Sequence, residues 1–469
     1  MSKVITVNPV TRISGFLEIA VEVENNTVIN ARSSGMLFRG FEKMLKGRSP
    51  FDAIYFTERI CGICSTAHSI ASTLALEEAI GVTPNENDTM LRDFIHGSEL
   101  LQNHIRHFYQ YTLPDYVRGL ETSPLDSNYH HDYRLPEQIN TELALHYIES
   151  IECGRLAHQM LAELGGKAPH THGVFVGGVT VSLDASSFIM IKSILAKISE
   201  FVKSKMIPDV LTISKYYSDY FYNGTGDKNL LTYGLFNHYE DKSLFFVGPQ
   251  AMINGKNTEF DATKITEHIK HAWYVSESTK RLPTEATVDE DVLKEDAYSF
   301  IKAPRYDGYA MEVGPLARMI LSGNYVGGIS TMDRTIARVL ETDRIIQIME
   351  NLLSRVEILP ILQKAYEIPE TVTAKGLTDT ARGALGHWVS IQNREIQNYE
   401  IITPSAWNLS STDSNGVKGV MENALLNTDI INLKNPVEVG RIARSYDPCV
   451  SCATHIISDN FEPLRIRIV

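Results

Sequence analysis

The chain has 469 residues, of which 43% are hydrophobic and 22% are charged, and its formal net charge is −13. This composition predicts a globular protein with enough chain to bury a large core, and the negative charge argues against a nucleic-acid-binding surface. No N-terminal segment has the apolar stretch of a signal peptide, and no run approaches the roughly 18 apolar residues of a membrane helix. We therefore expect synthesis in the cytoplasm, with any export depending on another protein.

The first predicted elements are strands. Residues 4–35 alternate apolar and polar side chains around an asparagine pair, which predicts a hairpin or a small sheet. From Ser49-Pro50 the pattern becomes helical, because serine caps a helix and proline suits its first turn. We expect this helix to run through the first cysteine pair and to end at Gly81.

Long helices dominate the middle of the predicted fold. Helical periodicity recurs in five further segments, near 88–112, 137–164, 185–205, 262–280 and 328–365. Loop composition marks residues 121–136 and 220–260, and short strands return near 386–402. Because several helices exceed the usual ~10–14 residues, we expect an α+β, predominantly helical fold, in which a core bundle of long helices carries small peripheral β-sheets.

Two short stretches near opposite ends of the chain carry the most distinctive chemistry. Each is a C-x-x-C followed by a histidine, namely Cys61, Cys64 and His68 in the first and Cys449, Cys452 and His455 in the second. On a helix, the three side chains of the first stretch would share one face. If the fold joins the two pairs, four thiolates surround one soft or borderline metal.

Spacing alone leaves the kind of site open. Structural zinc is the commonest use of paired C-x-x-C motifs, although it usually staples a small domain rather than the two ends of a large chain. A thioredoxin-like dithiol belongs after a strand in a βαβ unit, a setting that the sequence predicts for neither pair. Two disulfides are rare in a cytosolically folded chain of this size. The candidate metals are Zn, Ni, Cu(I) and iron–sulfur clusters.

Further motifs narrow these alternatives. The two cysteine stretches read R-x-C-G-x-C-x-x-x-H and D-P-C-x-x-C-x-x-H, and five shorter motifs accompany them: PVTRI at 9–13, RGFE at 39–42, GGVT at 177–180, ARGALGHW at 381–388 and TPSAWN at 403–408. Together they resemble the large subunit of [NiFe]-hydrogenases, and they occur in that family's order. Seven ordered motifs are far more specific than a single C-x-x-C.

The resemblance implies a nickel–iron centre. Cys61 and Cys449 would be terminal nickel ligands, whereas Cys64 and Cys452 would bridge nickel to an iron that carries CO and cyanide. Cys449 would accept a proton when H2 is cleaved heterolytically.

The same resemblance gives roles to residues around the centre. Arg382 would lie over the open metal position and be held there by Asp115 and Asp447. Ser405 would hydrogen-bond a cyanide nitrogen, and His68 would support the cysteines. Asp115 and Ser405 each follow a proline, so an ordinary turn is the alternative for both.

A second cation site is implied near the C-terminus. Glu42, the backbone carbonyl of Ile401 and His455 resemble the ligands of a redox-inert cation, Mg2+. The alternative for Glu42 is a salt-bridged helix start. His104 resembles another supporting residue, and we interpret Cys153 as a small buried hydrophobic residue.

Two features bear on proton transfer and maturation. Where the family has glutamate after Arg-Ile, this chain has Ser14, which relays a proton but cannot store one at neutral pH. Protons would then leave through Ser14 and water, or through Arg382 and its carboxylates. Residues 456–469 resemble the extension that precursors in this family lose after the histidine. We expect one intertwined catalytic domain with three parts, an N-terminal β region at 1–48, a helical core at 49–380 and a C-terminal part at 381–455.

The implied function is the reversible conversion of H2 into protons and electrons. The cysteines leave none for an iron–sulfur cluster in this chain, so a small subunit would carry the clusters and the export signal. The enzyme would act in the periplasm or at the cell membrane, with a link to a cytochrome or quinone, the cytoplasm being the alternative. A maturation endopeptidase and nickel-insertion factors would act on the precursor. Three other functions stay open: an H2-sensing regulator, a redox subunit like that of complex I, and a structural four-cysteine zinc protein.

Overall fold

The computed structural model describes residues 2–119, 130, 132–275, 278–361 and 364–450. Within them the helices are α1 (Phe41–Leu45), α2 (Asp52–Glu58), α3 (Ser65–Ile80), α4 (Glu86–Arg106), α5 (Glu137–Gly165), α6 (Ala185–Phe201), α7 (Ile207–Tyr216), α8 (Pro315–Leu321), α9 (Thr331–Leu353), α10 (Pro404–Asn408), α11 (Val420–Leu425) and α12 (Val437–Ser445).

The strands in the same ranges are mostly short. They are β1 (Lys3–Val7), β2 (Leu17–Glu24), β3 (Thr27–Gly35), β4 (Val174–Phe175), β5 (Gly178–Val179), β6 (Leu230–Thr232), β7 (Gln250–Ile253), β8 (Lys256–Glu259), β9 (Ile265–His268), β10 (Tyr274–Val275), β11 (Lys280–Arg281), β12 (Asp289–Glu290), β13 (Ala303–Tyr306), β14 (Thr371–Thr380), β15 (Gly383–Gln392) and β16 (Glu395–Ile402). The fold therefore mixes helices and sheets.

The largest hydrophobic core joins the long helices. Leu101 of α4, Met160 of α5, Ile198 of α6 and Ile345 of α9 are buried in it. Short polar side chains begin three of these helices by accepting a backbone N–H, since Asn85 caps α4, Asp184 caps α6, and Ser330 forms a capping box at α9. Burial of these inward faces supplies most of the stability of such helices.

Most predicted helices are present, with different ends. The helix expected at 137–164 is confirmed as α5. Helix α4 continues into a π-helical turn at His107–Thr112, and α6 passes through another at Val202–Met206 into α7. Helix α9 ends at Leu353, twelve residues before the predicted end near 365.

The helix predicted at 262–280 is wrong. Residues Ala262–Lys264 form a single 3₁₀ turn, and β9 follows as the central strand of the sheet β11–β9–β13. The spacing of Ile265 and Ile269 imitates a helical period. Pairing of Ile265 with Tyr306 in the antiparallel partner β13 decides for the strand, because β-propensity depends on such cross-strand neighbours.

Two three-stranded antiparallel sheets lie near the two cysteine stretches. The predicted N-terminal sheet is confirmed as β1–β2–β3, and the strands expected near 386–402 belong to β14–β15–β16. Helix α3 packs on β14 at Gly376, where a Cβ atom would lie 1.9 Å from the carbonyl oxygen of Ala71. Only glycine allows this approach, which brings the start of α3 close to the turn between β14 and β15.

The N-terminal and C-terminal regions meet. The amide of Ser14 donates to the carbonyl of Pro448 at 3.1 Å, and the amide of Val450 donates to the carbonyl of Ser14 at 2.7 Å. Val28 of β3 also pairs with Thr428, through an N–H···O distance of 2.9 Å. These bonds place Cys449 inside the fold, opposite the first cysteine pair. Among the described residues, no helix has both the length and the apolarity to cross a membrane.

Candidate metal centre

The first cysteine pair lies in a break between two helices. Helix α2 ends at Glu58 and α3 begins at Ser65, with Cys64 as its N-cap residue. The single helix predicted across this region is therefore wrong, and the cysteines do not share a helical face. The amide of Ile63 points at the sulfur of Cys61, at 3.3 Å. Both thiols are buried, and the backbone N–H groups at the start of α3 favour negative charge nearby.

Cys449 reaches the same place from the other end of the chain. Helix α12 ends at Ser445, and Asp447 adopts a left-handed conformation with φ of 53°, which turns the backbone sharply. The amide of Cys449 donates to the hydroxyl oxygen of Ser405 at 3.1 Å. Ser14 pairs with this segment on its other side.

Three thiols converge at this point. The sulfur atoms of Cys61, Cys64 and Cys449 lie within 4.8 Å of one another, and all three residues are at most 3% exposed. The Cys61 and Cys449 sulfurs are 3.3 Å apart, well beyond the ~2.05 Å of a disulfide. This separation excludes a disulfide between Cys61 and Cys449. A buried set of sulfur donors around one point fits a soft or borderline metal.

Two predicted ligands cannot be placed. Cys452 and His455 lie outside the described residues, as does the segment 456–469. Cys153, by contrast, is buried on α5 apart from the cluster, and burial raises the pKa of its thiol to about 11. It is the small buried side chain that the sequence predicted.

Arg382 lies in the turn between β14 and β15, next to the sulfur atoms. Its Nε donates to the carbonyl of Asp447 and its Nη2 to the Asp447 carboxylate, both at 3.0 Å. Burial lowers the pKa of the guanidinium, but Asp447 and the three cysteines outweigh burial and hold it well above its usual value. The side chain therefore remains a cation inside the protein.

The second partner of Arg382 is Asn103, which none of the sequence motifs indicates. Arg382 Nη1 donates to the Asn103 amide oxygen at 3.2 Å, and Asn103 Nδ2 donates to the carbonyl of Ile63 at 2.7 Å. One amide thus ties the arginine to the first cysteine turn. One feature of the sequence could have indicated this contact. Glu99 and Asn103, an acid and an amide, lie one turn apart on the inward face of a predicted helix.

Asp115 does not hold Arg382, contrary to the prediction. Its carboxylate accepts from Arg12 and from Arg444, whose Nε and Nη2 lie 2.6 and 2.7 Å from the two oxygens. Burial raises the pKa of this carboxyl, but the two arginines outweigh burial and hold it far below its usual range. Asp115 instead joins the N-terminal PVTRI motif to the helix that precedes Cys449.

His68, four residues after Cys64, begins a buried hydrogen-bond series. Its Nδ1 lies 3.1 Å from Nε2 of His387, whose Nδ1 lies 2.9 Å from the hydroxyl of Tyr399. Burial lowers the pKa of His68 to about 4, so the ring is neutral at pH 7. His104 lies elsewhere in the core, with its Nε2 2.8 Å from the Glu341 carboxylate.

The predicted second cation site is a cluster of carboxylates. Glu42 Oε1 accepts from the amide of Ile401 at 3.3 Å and lies 3.8 Å from the ammonium of Lys302. Glu267 and Glu400 contact the same ammonium. Burial, reinforced by Glu400, raises the pKa of Glu42 to about 8. A cavity of about 70 Å³ lies beside Glu42 and Ile401.

Comparison with known proteins identifies relatives along almost the entire chain. The family model described as nickel-dependent hydrogenase matches residues 39–123, 113–328 and 326–455. The periplasmic [NiFeSe] hydrogenase large subunit of Desulfomicrobium baculatum is 34% identical, over 97% of this chain and 95% of that protein. The uptake hydrogenase large subunit of Rhizobium leguminosarum bv. viciae is 30% identical, over 99% of this chain and 97% of that protein.

Solved structures agree with the sequence relatives. The H2-activated [NiFeSe]-hydrogenase of Dm. baculatum superposes with a TM-score of 0.93 at 34% identity, covering 97% of this chain and 100% of that chain. The oxidized Ni-Fe-Se hydrogenase of D. vulgaris Hildenborough has a TM-score of 0.93 at 36% identity, with the same coverage. Similarity of this extent covers both cysteine stretches and the fold that joins them.

Proposed function

Because this chain belongs to the nickel-dependent hydrogenase family as its large, catalytic subunit, we propose that it splits H2 heterolytically and reversibly at a nickel–iron centre. The convergence of Cys61, Cys64 and Cys449 on one point beside Arg382 carries the proposal. Cys452 would complete the ligand set, and Cys64 and Cys452 would also hold an iron that carries CO and cyanide. When bound, this centre supplies the redox and Lewis-acid chemistry that cleaves H2.

The protein groups around the centre position H2 and move its proton. Arg382 keeps its charge and orients H2, while Asp447 fixes the guanidinium through two hydrogen bonds. Cys449 takes the proton released on cleavage. Ser405 accepts the Cys449 amide with its oxygen, which leaves its own O–H to donate to a cyanide nitrogen. Asp115 acts at a distance by holding the Cys449 segment through Arg444.

We further propose Mg2+ between Glu42, the Ile401 carbonyl and His455. The motivating observation is the proximity of Glu42 to the Ile401 backbone, beside a small cavity. Three carboxylates share Lys302 as their neutralising cation, so a second positive charge would relieve their mutual repulsion. Bound Mg2+ would lower the pKa of Glu42, so that its carboxyl group is ionised at neutral pH.

A partner must take the electrons. With four of five cysteines in the two motifs and Cys153 alone on α5, we propose that an iron–sulfur small subunit receives them. That subunit would bring the export signal and a link to a membrane cytochrome or quinone. A periplasmic site is favoured by the name of one relative, a periplasmic hydrogenase large subunit. The cytoplasm is the alternative.

Maturation completes the proposal. We propose a single catalytic domain at 1–455 and an extension at 456–469 that an endopeptidase removes after nickel-insertion factors have loaded the metal. The intact mass of the purified active enzyme should correspond to a chain that ends at His455. A mature chain that still ends at Val469 would contradict cleavage without affecting the metal site.

Metal analysis of the purified heterodimer tests the centre directly. We expect nickel and iron in comparable amounts, H2 uptake with an artificial electron acceptor, and infrared bands from CO and cyanide. Cys449→Ser should lose nickel and turnover, because a hydroxyl is a poor ligand for a soft metal, whereas the control Cys153→Ser should keep both. Zinc in place of nickel, in wild-type protein, would support the structural-zinc alternative; nickel and iron without catalytic turnover would favour the sensor.

A further inference from the structure

Two buried carboxylates lie on either side of the first turns of α3. Glu99 of α4 is 5% exposed, and its two oxygens accept from the amides of Thr66 and Ala67 at 2.7 and 3.1 Å. These amides belong to the start of α3, directly after Cys64. Glu58, at the end of α2, is fully buried, and one of its oxygens lies 3.2 Å from Arg59.

Glu99 is connected to the metal centre through the next turn of its own helix. Asn103 Nδ2 donates both to the Glu99 carbonyl, at 2.8 Å, and to the carbonyl of Ile63 between the two cysteines. The amide oxygen of Asn103 accepts from Arg382. The carboxylate therefore lies behind Cys64, on the helix face that carries the arginine's amide partner.

Hydroxyl groups occupy the face of α3 between the two acids. Thr66 and Ser69 are three residues apart on one helix face. The Thr66 hydroxyl interacts with the Glu99 carboxylate and the Ser69 hydroxyl with that of Glu58. Both hydroxyl oxygens and Glu58 Oε1 are buried, and none of the three meets the strict geometry of a hydrogen bond. A hydroxyl group is both a donor and an acceptor, so it can rotate between partners and relay a proton. On the far side, the Arg59 side chain is 42% exposed.

We propose that Glu99 and Glu58 carry protons between the metal centre and the protein surface, a task that Ser14 cannot perform alone. The inference rests on the proposed hydrogenase function. The proton that Cys449 takes up when H2 is cleaved passes to Glu99, which restores the Cys449 thiolate and converts the Glu99 carboxylate into a carboxylic acid. Glu99 then returns to its carboxylate as the proton passes along the α3 hydroxyls to Glu58, which releases it to solvent. No electrons move, and H2 formation uses the same steps in reverse.

The acidity of the two groups fits this task. Burial raises the pKa of Glu99 to about 7, although the N–H groups of Thr66 and Ala67 and the charge of Arg382 lower it. Burial raises the pKa of Glu58 to about 8. The charge of Arg59 lowers this pKa, and the charge of Glu99 raises it further. Other titratable groups facing Glu58 are Tyr55 and His170. A relay works best with a pKa near the working pH.

The experiment uses the complete heterodimer with Glu99→Gln, Glu58→Gln and the conservative Glu99→Asp. We expect each glutamine variant to lose H2 uptake and H/D exchange with water by ~100-fold or more. Conversion of para-H2 to ortho-H2, which needs the metal centre but no proton exit, should persist. Glu99→Asp should restore a substantial part of the exchange. The control Asp93→Asn removes another buried carboxylate of α4, one bonded to Tyr239, and should leave exchange unchanged.

A second measurement does not depend on catalysis. In the infrared carbonyl band of protonated carboxyl groups, one component should titrate near pH 7 in wild-type protein and be missing from Glu99→Gln, with or without the metals. The proposed proton relay is wrong if H/D exchange with water stays within two-fold of wild type in both glutamine variants. It is also wrong if the infrared carbonyl band is unaffected by Glu99→Gln. Loss of para–ortho conversion in the wild-type enzyme would instead contradict the proposed function.

Discussion

Replacing Asp115 with asparagine tests how the two ends of the chain are held together. Asp115 is 1% exposed and lies between Arg12 and Arg444. Asparagine keeps one oxygen acceptor but removes the charge, which leaves the buried Arg444 guanidinium without its carboxylate. Removing one partner of a buried ion pair costs about 3–5 kcal/mol. Because Arg444 precedes Cys449 by five residues, the loss should appear first in the Cys449 segment.

Amide hydrogen exchange measures this loss locally. At 1.36 kcal/mol per factor of ten, about 3 kcal/mol corresponds to ~100-fold faster exchange of the Val450 and Ser14 amides, if these open with the segment. Nickel retention should fall in parallel. The matched control, Glu78→Gln, removes a half-exposed pair with Lys375 and should cost less than about 1 kcal/mol. If these amides exchange within two-fold of the wild-type rate in Asp115→Asn, the structural role of Asp115 between Arg12 and Arg444 is refuted.

The same variant should change the response to acid. The pKa of Asp115 in the folded protein lies below the value of about 3.9 in an unfolded chain. The unfolded state therefore binds more protons in acid, so the contribution of Asp115 is complete above about pH 5 and is lost as pH falls below 4. Stability of Asp115→Asn should fall less steeply over that interval. An identical acid limb in the two proteins would contradict the assignment.

Two other variants test the arginine and the packing of α3. Arg382→Lys keeps the charge but loses the fork that reaches Asp447 and Asn103 together, so we expect 10²–10³-fold slower H2 uptake at unchanged nickel content; uptake within ten-fold of wild type would contradict this. Gly376→Ala would place a methyl group 1.9 Å from a backbone oxygen of α3, which should cost at least about 1–3 kcal/mol in thermal unfolding. The control Gly154→Ala, with open space around its Cβ position, should be neutral or slightly stabilising.

Local patterns in the sequence account for much of the fold. The long amphipathic helices carry their own periodicity and caps, so α5 was predicted almost to the residue. The cysteine spacing and the accompanying motifs pointed to the metal centre, because soft thiolate ligands can be recognised from the residue type alone. The segment 262–280 was predicted wrongly because its apolar spacing suits a helix, while pairing with β13, over thirty residues away, decides for a strand.

Tertiary structure decided which groups meet. Asp115 and Asn103 both lie close to the predicted helix 88–112, and nothing in their local sequence tells which one reaches Arg382. The packing of α4 against the β14–β15 turn decides this, and it brings Asn103 rather than Asp115 within hydrogen-bond distance of Arg382. The residue types alone predicted a metal site built from sulfur ligands. Only the long-range approach of α12 to the turn at Leu113–Asp115, made through Arg441 and Arg444, determined which segments Asp115 joins, because side-chain contacts between distant segments have no local signal.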